Sequence, residues 1–391
     1  MAAAPQPFEE ATVLADAQQA AGLEDFGDAA FRQPLRVLLA SLSQAPLNPV
    51  GIRILRSSLV WSLVSRLRAQ HWFEKHPEIA AEPIQAPIVV VGMMRSGTTL
   101  LQRLLSCDPR HTCALGWEVR EPAPAPGNWQ KTPDPRIAAA EAQVAQTRKF
   151  APELFAIHPS FANEAEEEIV FLANAFLSHV PEASCDVPVY RKWLDDQDFT
   201  PAYQNLKRML QLLQWQKAQR GEERGRWILK TPAHLGYLDT LFATFPDAHV
   251  VHMHRDPLET IASGASLNTT LWRMHAGDVD PHRVGRQWLE RMTFTNNRAL
   301  STRKAMPDEA KRFTDILFRD AVTAPLLQVG KIYDALGVPF SDDAARAMEA
   351  WLARDGQEER PAHHYSPEEF GLRRGDIDNA FAAYTERFLS P

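Results

Sequence analysis

The chain has 391 residues, 45% of them hydrophobic and 23% charged, with a net charge of −7 and a pI near 6.0. Such a balance fits a water-soluble globular protein with a substantial core, and it lacks the global basic field of a nucleic-acid partner. No stretch approaches the roughly 18 apolar residues of a membrane span, and the opening M-A-A-A-P-Q-P-F-E-E lacks the basic end and apolar segment of a signal peptide.

The first eighty residues carry helical periodicity. Leu35, Leu38, Leu39 and Leu42 share one face within Phe31 to Leu42, and Leu59, Leu63, Val64 and Leu67 share another within Ile54 to Trp72. Pro83 and Pro87 close this segment. We therefore divide the chain into an N-terminal helical extension, residues 1–83, and an α/β unit, residues 84–391. Ile88 to Val91 reads I-V-V-V, a buried-strand pattern. It runs into G-M-M-R-S-G-T-T, Gly92 to Thr99, and then the helical run Leu100 to Leu105. A strand, a glycine-rich turn and a helix start converge backbone N–H groups on the positive end of a helix dipole, which makes an anion cradle. A nucleotide triphosphatase would carry G-x-x-x-x-G-K-[ST]; here Thr98 stands at the lysine position and Arg95 stands inside the loop. The loop suits a phosphate but lacks the usual means of handling a γ-phosphate.

Pro122 to Pro135 is dense in proline and reads as an irregular loop. A long helix is expected over Pro201 to Gln219, a short strand over Trp227 to Leu229 and a helix over Leu235 to Phe245. Further strands are expected over Ala248 to Met253 and Phe313 to Phe318, with a helix from Pro257 and another over Leu326 to Leu336. Strands separated by helices imply a P-loop-like parallel sheet flanked by helices, with ligands at the carboxyl ends of its strands. Cys107, Cys113 and Cys185 have no metal-ligand spacing and suit the reducing cytoplasm, so no metal site is expected.

Three segments should meet at the carboxyl edge of that sheet. They are the loop, W-I-L-K-T-P-A-H (Trp227 to His234), and V-V-H-M-H-R-D-P-L-E-T-I-A-S (Val250 to Ser263). Lys230 follows a strand directly. Arg255 at a strand end and Ser263 on the next helix are placed to grip one phosphate. Asp256 reads as the cap of the helix starting at Pro257 in preference to a Walker B aspartate. Glu164, Glu166, Glu167 and Glu168 precede an apolar helix, where acidic residues complement the dipole; one of them could instead face a substrate. His252 and His254 share one face of a strand, beside a nucleotide or simply filling the sheet edge.

Together the three segments resemble the sulfotransferases that use 3′-phosphoadenosine 5′-phosphosulfate (PAPS), in particular bacterial members related to tyrosylprotein-type enzymes. The resemblance extends to the N-terminal helices and to H-H-Y-S-P-E-E-F-G-L, His363 to Leu372. It implies that Arg95, Ser96, Gly97, Thr98 and Thr99 hold the sulfate side of PAPS, that Arg255 and Ser263 hold the 3′-phosphate, and that Lys230 touches the bridging oxygen. It also implies Glu118, in W-E-V-R with Arg120 as charge partner, as the base for the acceptor hydroxyl, with His158 as the alternative base. The chain departs from the family in lacking R-K-G-x-x-G, in carrying Phe318 where relatives often have tyrosine, and around Arg360, His363, His364 and Tyr365. The expected reaction is metal-independent, in-line transfer of a sulfuryl group to a small hydrophobic alcohol or phenol, for whose pocket Trp272, Met274, Phe161 and Phe176 are candidates. A P-loop kinase and a non-catalytic nucleotide-binding interaction protein are the competing readings, and a homodimer stays open.

Overall fold

The computed structural model describes residues 7–127, 132–157, 159–355 and 365–390. Its centre is a five-stranded sheet in the order β2-β3-β1-β4-β5, parallel throughout. The strands are β1 (Ile88–Gly92), β2 (His111–Thr112), β3 (Arg226–Lys230), β4 (His249–His254) and β5 (Phe313–Leu317). Ile88 to Val91 are wholly buried, as expected of a β-branched run covered on both faces. Val90 pairs with Lys230 across one side of β1, and Gly92 with Met253 across the other. The strand order reverses at β1, so the loops after β1, β3 and β4 open into one crevice at the carboxyl edge. The two-residue β2 escaped the sequence patterns because it is too short to show any alternation.

Helices precede the sheet: α1 (Glu10–Ala21), α2 (Arg32–Leu42) and α3 (Pro49–Lys75). Pro49 sits in the first turn of α3 and Asn48 caps it, its Oδ1 accepting from the Gly51 N–H at 2.7 Å. Their apolar faces join one continuous core with the sheet and its long helices. Leu38 and Trp72 belong to the same cluster as Val89, Leu210 and Trp215. After the loop come α4 (Thr98–Leu105) and the short α5 (Gly116–Arg120). Beyond these, α6 (Thr200–Gln219) leads into β3, α7 (Pro257–His275) follows β4, and α8 (Pro281–Ala305) leads toward β5. The helix α9 (Pro325–Leu336) follows β5, and α10 (Ala382–Phe388) ends the described chain. The segment expected as one helix over Leu235 to Phe245 divides into a 3-10 turn, Pro232–Tyr237, and a helix, Leu238–Thr244. Among the described residues no helix is long and apolar enough to cross a membrane.

Candidate active site

The loop after β1 is built around two residues with positive φ. Gly97 (φ 87°) immediately precedes α4, and a Cβ there would lie 2.6 Å from the Phe318 ring. Backbone conformation and close approach therefore both demand glycine. Arg95 (φ 73°) has no such licence, and local strain of this kind concentrates where the surrounding structure holds a loop for a ligand. The Ser96 Oγ is fully buried without a hydrogen-bond partner.

The three segments read from the sequence do converge. The Arg95 Nε–H donates to Ser263 Oγ at 3.1 Å, and the Arg255 Nη1–H donates to the Arg95 carbonyl at 2.9 Å. Arg255 and Ser263 are thus joined through Arg95 and make no direct bond to each other. The Arg255 guanidinium also lies 4.0 Å from the Phe318 ring centroid and pairs with Glu259. Burial lowers the Arg95 pKa; nearby Tyr365 opposes this, while the like charge of Arg255 adds to it. A dianionic ligand would relieve that repulsion. Asp256 caps α7, its Oδ1 accepting from the Leu258 N–H at 2.8 Å.

Lys230 is almost wholly buried at the end of β3. Its Nζ donates to Glu167 Oε1 at 2.5 Å and to Thr99 Oγ1 at 3.3 Å. The position left by the absent loop lysine is therefore approached by a lysine from a neighbouring strand. The next residue, Glu168, is buried too: Oε2 accepts from the Lys230 N–H at 3.0 Å, and Oε1 lies 2.9 Å from His234 Nε2, whose Nδ1 contacts the Tyr203 hydroxyl at 2.8 Å. Glu167 and Glu168 are thus tied to the sheet edge; they do not merely decorate a first turn. The helix they precede starts only at Ile169.

Glu118, expected as the base, pairs elsewhere. It lies on α5, fully buried, and folds back on its own helix start to accept from the Leu115 N–H at 3.0 Å. Its oxygens pair with Lys217 at 3.0 Å, in the last turn of α6, and with Arg220 at 3.1 Å, just past its end. Burial acts to lower the Lys217 pKa, but the Glu118 carboxylate holds it above its ordinary value. Both carboxylate oxygens of Glu118 therefore have partners on its own helix start and on α6 and its end. Arg120, two residues on, does reach the cavity, and burial lowers its pKa against the opposing pull of Glu166. His158, Arg360, His363 and His364 lie outside the described residues.

A cavity of about 890 Å³ adjoins these groups. Its lining combines Arg95, Thr98, Thr99, Glu167 and Arg255 with Leu267, Leu271, Trp288 and Met292 of α7 and α8. The four residues expected around the acceptor do not line this cavity. Trp272 and Phe176 are core, Phe161 borders a separate groove beside Glu141 and Arg148, and Met274 is not part of the lining. On a helix only every third or fourth residue shares a face, so Leu267 and Leu271 face the cavity and Trp272 turns away.

His252, His254 and Asp315 have metal-capable spacing. A guanidinium already fills that place: the Arg303 Nη1 lies 2.9 Å from His252 Nδ1, and its two terminal nitrogens grip Asp315 at 2.7 and 2.8 Å.

Comparison with known proteins agrees with this geometry. The sequence model of the sulfotransferase family matches residues 87–342, which include the loop, Lys230, Arg255 and Ser263. The chain belongs to the sulfotransferase family. It is 27% identical over 275 residues to omega-hydroxy-beta-dihydromenaquinone-9 sulfotransferase Stf3 of Mycobacterium bovis and of Mycobacterium tuberculosis. That match takes in 66% of this chain and spans only 64% of the relatives' length. Sulfotransferase STF1 from Mycobacterium tuberculosis superposes with a TM-score of 0.82 at 31% identity, covering 97% of this chain and all of that one. Sulfotransferase STF9 from Mycobacterium avium superposes with a TM-score of 0.86 at 25% identity, covering 97% of each chain. The chain has the expected parallel sheet and N-terminal helices.

Proposed function

We propose that this sulfotransferase moves the sulfuryl group of PAPS to the hydroxyl of a small hydrophobic alcohol or phenol. The observation that carries the reading is Lys230, held between Thr99 of the loop and Glu167 at the edge of the cavity. In this reading residues 95–99 cradle the 5′-phosphosulfate, while Arg255 and Ser263, bridged by Arg95, take the 3′-phosphate. The acceptor occupies the cavity beside Leu267, Leu271 and Met292. The acceptor oxygen attacks sulfur in line, forming its S–O bond as the bond from sulfur to the 5′-phosphate oxygen breaks. Charge spreads over the three sulfuryl oxygens, so positioning and electrostatics supply most of the rate. Lys230, Arg95 and the loop N–H groups stabilise the leaving phosphate and the transferring group without a metal.

The proton of the acceptor hydroxyl goes to Glu167, which replaces Glu118 as our base. Glu167 lines the cavity beside Lys230, whereas Glu118 is committed to Lys217 and Arg220. His158 stays the alternative. A cytoplasmic setting is part of the same proposal, on the cysteine spacing of the sequence. The relatives' substrate, an omega-hydroxy menaquinone derivative, is also an apolar alcohol, which supports this acceptor class. An acceptor screen with 35S-labelled PAPS, with and without EDTA, tests the proposal. Transfer to apolar alcohols that EDTA leaves untouched supports it. Transfer from ATP instead, or nucleotide binding without transfer to any acceptor, would overturn it.

A further inference from the structure

The base of Arg255 is held by a residue from the far end of the chain. Arg255 is the first residue past β4, and the β4–β5 ladder ends one step earlier, at His254 and Leu317. Its N–H therefore has no strand partner. It donates instead to the Tyr384 hydroxyl oxygen at 3.2 Å, and the same hydroxyl's O–H donates to the Arg255 carbonyl at 3.4 Å. Tyr384 is buried on α10, beyond residues 87–342 matched by the family.

The hydroxyl is itself fixed from behind. It lies 3.3 Å from His254 Nδ1, and His254 Nε2 lies 2.7 Å from Asp315 Oδ1. With the Nε2 proton directed at the carboxylate, Nδ1 and the Arg255 carbonyl share the one tyrosine O–H as acceptors. The tyrosine oxygen then keeps its lone pairs for the Arg255 N–H. Asp315 is in turn gripped by Arg303. The Tyr384 ring packs against His254 (5.6 Å between centroids) and Phe388 (5.5 Å). At the other end of Arg255, the guanidinium is set by the Arg95 carbonyl, Glu259 and the Phe318 ring. The side chain is thus aimed from both ends, and among the described residues it is Tyr384 that holds its backbone.

We propose that the Tyr384 hydroxyl is a positioning group for Arg255, so that the C-terminal helix α10 sets how well the enzyme recognises the 3′-phosphate of its nucleotide. This rests on the reading of Arg255 as part of the 3′-phosphate grip. A neutral hydrogen bond of ordinary strength corresponds to roughly a three- to tenfold change in affinity.

The experiment is calorimetric binding of 3′-phosphoadenosine 5′-phosphate and of adenosine 5′-phosphate to the full chain, wild type against Tyr384→Phe and Arg255→Ala, with thermal unfolding and steady-state kinetics of each. Tyr384→Phe keeps the ring packing and removes only the hydroxyl. We expect about three- to tenfold weaker binding of the 3′-phosphorylated nucleotide. Adenosine 5′-phosphate binding should be unchanged; the KM for PAPS should rise while kcat holds. A merely structural role would lower the unfolding temperature and weaken both nucleotides alike, and that pattern overturns the proposal. If Arg255→Ala loses 3′-phosphate discrimination and Tyr384→Phe does not, the positioning role fails and the grip stands. If Arg255→Ala keeps that discrimination, the grip itself fails and the Tyr384 role falls with it.

Discussion

Lys230 Nζ and Glu167 Oε1 are 2.5 Å apart at the carboxyl edge of the sheet, joining residues 63 positions apart in the chain. The ammonium also reaches Thr99, so one cation spans the loop and a cavity-facing carboxylate. This pairing underlies our division of labour, in which Lys230 serves the leaving group and Glu167 the acceptor. Glu167→Gln keeps the shape and removes the proton acceptor. Turnover should fall by roughly a hundredfold or more, the scale of general-base loss, with nucleotide affinity nearly unchanged. Single-turnover transfer from labelled PAPS measures this. Near-normal turnover in Glu167→Gln, together with collapse in His158→Ala, would assign the base to the histidine.

Glu118→Gln should behave differently. The carboxylate neutralises buried Lys217 and half-buried Arg220, so its loss is a stability defect. Breaking a wholly buried pair costs about 3–5 kcal/mol, and the partial exposure of Arg220 reduces that here. Denaturant unfolding should show a clear loss, while turnover per folded molecule stays within a few-fold of wild type. A hundredfold loss of turnover at unchanged stability would return the base to Glu118.

Gly97→Ala should damage the cradle. The position needs φ 87°, and an added Cβ would meet the Phe318 ring at 2.6 Å. Left-handed backbone costs an ordinary residue about 1–2 kcal/mol before any displacement of Phe318 is counted. Nucleotide binding should weaken by about tenfold or more, at about 1.4 kcal/mol per decade. Calorimetry showing wild-type affinity would mean that the loop does not contact the nucleotide.

Acid should destabilise the fold before any carboxylate titrates. Burial lowers the pKa of His111, His179, His249, His252 and His254, so these imidazoles are harder to protonate in the folded chain than in the unfolded one. The unfolded chain takes up protons on them as the pH falls through about 6.5. Their contribution is complete above that value and declines below it. Asp108 extends the loss: burial raises its pKa, but Arg110 and Tyr333 outweigh this and bring it to about 2. Its share is present above its ordinary value and disappears as the pH falls toward 2. Unfolding temperatures recorded from pH 7.5 down to pH 5 should fall steadily; a flat profile would show that the histidines are accessible to solvent.

The strand–loop–helix at Ile88 to Leu105, the strand-end placement of Lys230 and Arg255, and the Asp256 cap were all legible in the residues themselves. Each rests on interactions within a few positions of the chain, such as a buried β-branched run, a glycine before a helix, or an aspartate accepting from an N–H two residues on. The convergence of three segments also followed, because parallel strands place their following loops on one edge. The direction of side chains across elements did not follow. On α5 the adjacent turns send Glu118 inward to α6 and Arg120 toward the cavity, a choice made by Lys217 and Arg220 about a hundred residues later. In the same way Glu167 and Glu168 could satisfy a helix dipole or a sheet edge, and the position of β3 decided for the edge. The lining of the cavity by Leu267 and Leu271, with Trp272 turned away, and the hold of Tyr384 on Arg255 belong to the same class. Local pattern determined which chemistry this chain carries at its strand ends; long-range packing and buried charge pairing decided which of its carboxylates face that chemistry, because a buried ion must be satisfied by whichever partner the fold brings within reach.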